Sequence, residues 1–162
     1  MKRYWLMKSE PEAYSIDDLA RDKTTYWDGV RNYQARNFMR DQIKKGDAVF
    51  FYHSNAEPSG ITGIAEIVKE GYPDPSAFDP KDRHFDEESD PKDPTWYVVE
   101  IRFVEKFPEL IALETLRKIK GLEKMPLLQR GQRLSVQPVS EQEWKTIVET
   151  AKNTRRSALL KK

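Results

Sequence analysis

The sequence predicts an α+β protein organised on one curled, largely antiparallel sheet. Five or six strand-like segments are interspersed with short helical ones, the pattern of that class. Gly60 and Gly63 punctuate a strand pattern where a sheet bends, which suits barrel-like closure. No internal repeat and no boundary divides the 162 residues, so a single domain is expected over residues 1–152. Residues 153–162 read as a polar, basic tail that frays.

Residues 3–7 form the first expected strand, rich in aromatic and large apolar side chains and stopped by Lys8-Ser9-Glu10-Pro11. Ser15 caps a short helix, with Asp18 where a capping box places its acid. Residues 27–31 are extended or turning. Asn32 then caps a helix whose apolar face is Ala35, Phe38, Met39 and Ile43, closed by Lys44-Lys45-Gly46. Residues 48–54 are nearly continuous in apolar character, which marks a central strand. Pro58-Ser59-Gly60 turns into a strand over 61–68, where Gly63 signals a bulge or a close backbone approach. Residues 71–94, laden with Pro and Asp, read as a long surface loop with a short turn of helix. Residues 95–104 alternate, with Tyr97, Val99, Ile101 and Phe103 on the core side. Helical spacing follows at 112–119, then a basic turn at 129–133 and a strand at 134–138. Ser140-Glu141-Gln142-Glu143 is a capping box opening a last helix through Val148.

Composition narrows the function. The 28 basic and 27 acidic residues leave a net charge of +1. A protein gripping a long duplex through many phosphates carries a clear basic excess, so any nucleic-acid contact is short or local. The lack of cysteine excludes disulfides, thiol nucleophiles and Cys-ligated zinc, and fits a reducing compartment. No run has the length of a membrane span, and residues 1–8 hold too short an apolar stretch for a signal peptide. A cytoplasmic protein without a membrane partner is expected.

The richest stretch is Trp27-Asp28-Gly29-Val30-Arg31-Asn32-Tyr33-Gln34-Ala35-Arg36-Asn37. Amides carry donors and an acceptor, guanidinium forks onto phosphate or carboxylate, and indole offers a flat face. A pocket holding a planar polar ring uses that mixture.

These blocks also carry a resemblance. Trp5-Leu6-Met7-Lys8-Ser9-Glu10-Pro11 and Trp27-Asp28-Gly29-Val30-Arg31-Asn32, followed by Gln34-Ala35-Arg36-Asn37, resemble the EVE domain. Phe50-Phe51-Tyr52-His53-Ser54, Gly60-Ile61, Trp96 and Arg133-Leu134-Ser135-Val136-Gln137-Pro138 extend the likeness to nearly the whole chain. The resemblance implies a PUA-like fold, a small curved β-barrel flanked by helices. It also implies a reader of modified bases whose pocket takes in a flipped base. No long basic extension precedes Met1, which suggests a stand-alone member of bacterial type.

A base drawn out of its stack is held by an aromatic face and by hydrogen bonds to its edges. Trp27 is the expected stacking wall, with Trp96 and Trp5 as weaker candidates and Trp5 best left in the core. Asn32, Gln34, Asn37, His53 and Ser54 are the candidate edge contacts. Lys8, Arg31, Arg36, Arg130 and Arg133 are candidates for phosphate, which positions a strand without identifying the base. Each has a plainer reading. Trp27 and Trp96 also suit a core, Asn32 suits a helix cap, and His53 suits a satisfied core position. Arg31 and Arg36 suit ordinary ion pairs with Asp28 or Glu10.

No catalytic residue, metal or cofactor is expected. His53 and Ser54 are strand neighbours pointing to opposite faces, so they do not form a base–nucleophile pair. Asp79, Asp82, Asp86, Glu87, Glu88 and Asp90 lack the EF-hand order and suit a solvated loop. The expected partner is therefore DNA or RNA bearing a modified cytosine or adenine. The alternatives are a protein-interaction module using the acidic 71–94 loop or, less favoured, a nucleotide-directed hydrolase.

Overall fold

The structure, a computed structural model, describes residues 2–160, and side chains as far as residue 154. Six strands form one sheet: β1 Tyr4–Ser9, β2 Thr24–Tyr26, β3 Ala48–His53, β4 Gly60–Pro73, β5 Tyr97–Ala112 and β6 Val136–Val139. Their order is β2-β5-β4-β3-β1-β6. All pairings are antiparallel except β1 with β3, which run parallel. A parallel pair needs a crossover. Here it contains helix α1 (Ile16–Asp22), β2, and helix α2 (Tyr33–Asn37). Helices α3 (Leu113–Arg117) and α4 (Glu141–Leu160) complete the chain.

Both faces of the central strands are covered, which explains their continuous apolar runs. Alternate residues of β1 and β3 divide between two cores. Trp5, Met7, Val49 and Phe51 meet Ile16 and Leu19 of α1, Ala35 of α2 and Met39 on one side. Leu6, Phe50 and Tyr52 meet Leu116 of α3 and Ile147 and Ala151 of α4 on the other. Trp5 belongs to the core as expected, its indole N–H donating to the buried Asp47 Oδ2 at 2.9 Å.

The α+β sheet is mixed and open, and the expected barrel closure is not formed. Strands β2 and β6 remain as its edges. Curvature is concentrated where β4 pairs with β5, whose register shifts near Gly63, Ala65 and Lys69. Closure needs consistent tilt and stagger all the way round, and the two edge strands are only three and four residues long. The short β2 escaped prediction for the same reason. Strands β4 and β5 outrun their expected ends because each supplies the other's ladder bonds. Helix α4 passes Val148 to Leu160, so the backbone of the expected frayed tail is helical over 153–160; residues 161–162 lie outside the described residues.

Gly63 is a close approach, as its position in the strand pattern suggested. A Cβ there would lie 2.3 Å from the Glu105 carbonyl oxygen and 3.1 Å from Ile16 Cδ1. Gly63→Ala is expected to destabilise the fold by about 1–3 kcal/mol, as overpacking does, measured by urea unfolding.

Candidate nucleic-acid interface

The site is built where the 71–94 loop folds back on residues 27–31. Asp74, fully buried, joins them. Its Oδ2 accepts from the Gly29 backbone N–H and from an Arg31 guanidinium N–H, both at 2.9 Å. Its Oδ1 accepts from the Ser76 N–H at 2.8 Å and the Ser76 hydroxyl at 2.7 Å. Burial pushes the Asp74 carboxyl up, but the bonds from Ser76, Gly29 and Arg31 outweigh it and hold the group below its ordinary value. Arg31 then donates twice to the His84 carbonyl oxygen, at 2.6 and 3.2 Å. Farther along the loop, the Trp96 indole N–H donates to Asp86 Oδ2 at 2.7 Å. The stretch expected to be a solvated acidic loop is thus tied by its own acids to residues 29 and 31 and to Trp96.

This closure leaves a cavity of about 240 Å³. Its lining comes from the end of β1 (Lys8, Ser9), from Ala13 and Tyr14 before α1, from residues 25–28, and from Arg83 and His84 of the loop. Trp27 is held by its backbone N–H on the Val99 carbonyl at 2.8 Å and by an edge contact with Phe51. Only 8% of it is exposed, so it offers part of an indole as a floor rather than a free-standing face. Tyr26 is half exposed beside it. Burial, then the charge of Asp74, pushes the half-buried Asp28 carboxyl above its ordinary value. Burial lowers the Lys8 ammonium. Neither side chain has an ion-pair partner within 4.0 Å among the described residues.

Of the sequence-predicted residues, Trp27 and Lys8 line this cavity and the others do not. Asn32 caps α2, its Oδ1 accepting from the Ala35 N–H at 2.9 Å. Gln34 and Asn37 are exposed on α2, and Asn37 accepts from Arg36 Nε. His53 Nε2 accepts from the Ile16 N–H at 3.1 Å, and burial lowers its pKa, so the ring is a neutral acceptor at the start of α1. Ser54 is bonded through its backbone to Ser9. Trp96 is 7% exposed, packed against Tyr33 and under the Arg31 guanidinium. Arg31 and Arg36 are engaged within the protein, with Asp74 and with the Thr95 carbonyl, and not with Asp28 or Glu10. Arg130 and Arg133 are exposed away from the cavity lining.

Sequence reasoning missed Ser9, Tyr14, Thr25, Tyr26, Arg83 and His84, and read Asp28 only as an ion-pair partner. Arg83 and His84 carry no local signal, because it is the contacts of Asp74 with Gly29 and Arg31, and of Arg31 with the His84 carbonyl, that bring the loop across. Among the described residues no helix is long and apolar enough to cross a membrane.

Against known proteins, the family model for the EVE domain matches residues 3–150. The chain belongs to the EVE domain family. It is 44% identical to chicken thymocyte nuclear protein 1 over 160 residues, covering 87% of this chain and 65% of that protein's length. A crystal structure of a Pseudomonas syringae protein superposes with a TM-score of 0.88 at 47% identity, covering 91% of this chain and 99% of the other. Human THYN1, in a crystal structure in complex with 5-methylcytosine-containing DNA, superposes with a TM-score of 0.84 at 40% identity, covering 93% and 98%.

Two carboxyls of this EVE domain titrate with opposite sign. Asp28, raised in the folded state, contributes stability that is full below its ordinary value of 3.8 and is lost as pH rises through its folded value. Asp28→Asn is therefore expected to raise the Tm at pH 7, with the gain vanishing below pH 3.8. Asp74, lowered, contributes stability above its ordinary value of 3.8 that is lost as pH falls through its folded value. Asp74→Ala, which leaves the Gly29 and Ser76 N–H groups without their acceptor and takes the carboxylate from the part-buried Arg31, is expected to cost about 1–3 kcal/mol near neutral pH in denaturant unfolding.

Proposed function

We propose that the chain binds nucleic acid carrying a modified base, and receives that base, turned out of its stack, in the cavity over Trp27. The observation that carries this reading is the grouping around that cavity of an indole floor, a half-buried carboxyl and an exposed guanidinium at Arg83. The complex of human THYN1 with 5-methylcytosine-containing DNA supports it from a relative. A carboxylate accepts from the exocyclic amine of cytosine, a role within reach of Asp28. Trp27, with Tyr26 beside it, supplies aromatic surface. The exposed Arg83 takes phosphate, consistent with a chain of little net charge and few contacts; the Lys8 ammonium instead lies over the Tyr52 ring. Binding of this kind makes and breaks no covalent bond.

The acidic loop as a separate protein-binding module is the weaker reading, because its backbone and side chains form part of the cavity wall. Deleting the loop would remove both functions together. Exposed Glu87 and Glu88 separate them: their charge reversal abolishes partner capture under the module reading and leaves base binding intact under ours.

The direct test is titration of matched oligonucleotides, DNA and RNA, with and without 5-methylcytosine. Tighter binding of a modified strand is expected. Trp27→Phe, which keeps an aromatic in the core, is expected to weaken it about tenfold. Arg83→Gln is expected to weaken all strands alike and to lower the salt slope by about one phosphate contact. No preference for any modified strand, or unchanged affinity in folded Trp27→Phe, overturns the assignment.

A further inference from the structure

At the edge of the cavity, Asp28 also belongs to a second grouping, one of metal-ligating side chains. Asp28, Asp82 and His84 each place a ligand atom so that all three lie within 4.8 Å of one another. The His84 Nδ1 stands 3.2 Å from Asp82 Oδ1. Two ligands at about 2.0–2.1 Å from a tetrahedral ion stand about 3.3 Å apart, so this pair already has the spacing of two donors on one metal.

Three further observations favour an ion there. His84 Nδ1 is buried and makes no hydrogen bond, although its ring is otherwise firmly placed. A Cβ on Gly29 would fall 2.5 Å from His84 Nε2, so the ring lies flush on that glycine, while Arg31 grips the His84 carbonyl. Asp28 and Asp82 have no Lys or Arg partner within 4.0 Å among the described residues, even though Asp28 is half-buried. Buried charge is ordinarily paired or bound to metal. Two carboxylates with one imidazole balance a dication, and the imidazole favours zinc, copper, iron or nickel over calcium or magnesium.

We propose that Asp28, Asp82 and His84 form a site for one divalent transition-metal ion, of the zinc class, at the mouth of the cavity. Two of the three, Asp28 and His84, line the cavity, and three protein ligands leave a fourth position for water or for an oxygen of a bound ligand. The site unites residues 28 and 82–84, so a bound ion would add a further tie between the loop and residues 27–31 beside those of Asp74 and Arg31.

The test is calorimetric titration of the full chain with Zn²⁺, without nucleic acid, beside Asp82→Asn and His84→Gln variants checked for folding by circular dichroism. Wild type is expected to bind one equivalent, with a raised Tm, and each variant to bind about tenfold or more weakly. Co²⁺ titration gives an independent readout, since a band of tetrahedral cobalt is expected in wild type and absent in His84→Gln. No stoichiometric binding, or equal binding by folded variants, overturns the site. Oligonucleotide binding in EDTA is measured separately, so failure here is distinguishable from failure of the base-binding reading.

Discussion

The buried carboxylate of Asp74 is the constraint on which the site depends. One side chain satisfies a backbone N–H at Gly29, a guanidinium at Arg31 and the first turn after its own strand at Ser76. An ion pair so enclosed is costly unless every lone pair finds a donor, and here they do. The consequence is geometric. Roughly twenty residues that carry many of the chain's acids cannot drift in solvent, and Arg83 and His84 are delivered to the wall of a cavity begun by β1 and residues 25–28.

The sheet supplies the other half of that geometry. Its central strands are buried on both faces, which leaves little freedom for the ends of β1 and β3 to move. Lys8 and Ser9 emerge at one such end. His53, at the neighbouring end of β3, accepts the N–H of Ile16 and so fixes where α1 begins and where Tyr14 sits. His53 therefore shapes the cavity without lining it. The same economy explains Asn32, whose Oδ1 is spent on a cap, and Trp96, whose indole N–H is spent on Asp86.

Much of the fold was legible because its signals are local. The capping box at Ser15 and Asp18, the Asn32 cap, the apolar run of β3 and the tight approach at Gly63 all appear as expected. Helix and strand ends were less legible, since β4 and β5 extend each other through partners distant in the chain. Site residues fared worst. A guanidinium suited to phosphate and one suited to a buried carboxylate look identical in a linear sequence, and Arg31 proved to be the second kind. Asp28, by contrast, lost the partner that its neighbours seemed to offer.

By itself the sequence determined the class of the fold, its central strand, its helix starts and the stretch around Trp27 that the cavity is built on. These follow from periodicity and capping, which act over a few residues. Tertiary structure alone decided that the sheet stays open, that the acidic loop closes over residues 27–31, and that Asp28, Asp82 and His84 share one rim. The last two outcomes rest on contacts that bring residues 28–31 to residues 74–84, more than forty positions along the chain, and such contacts leave no period in it.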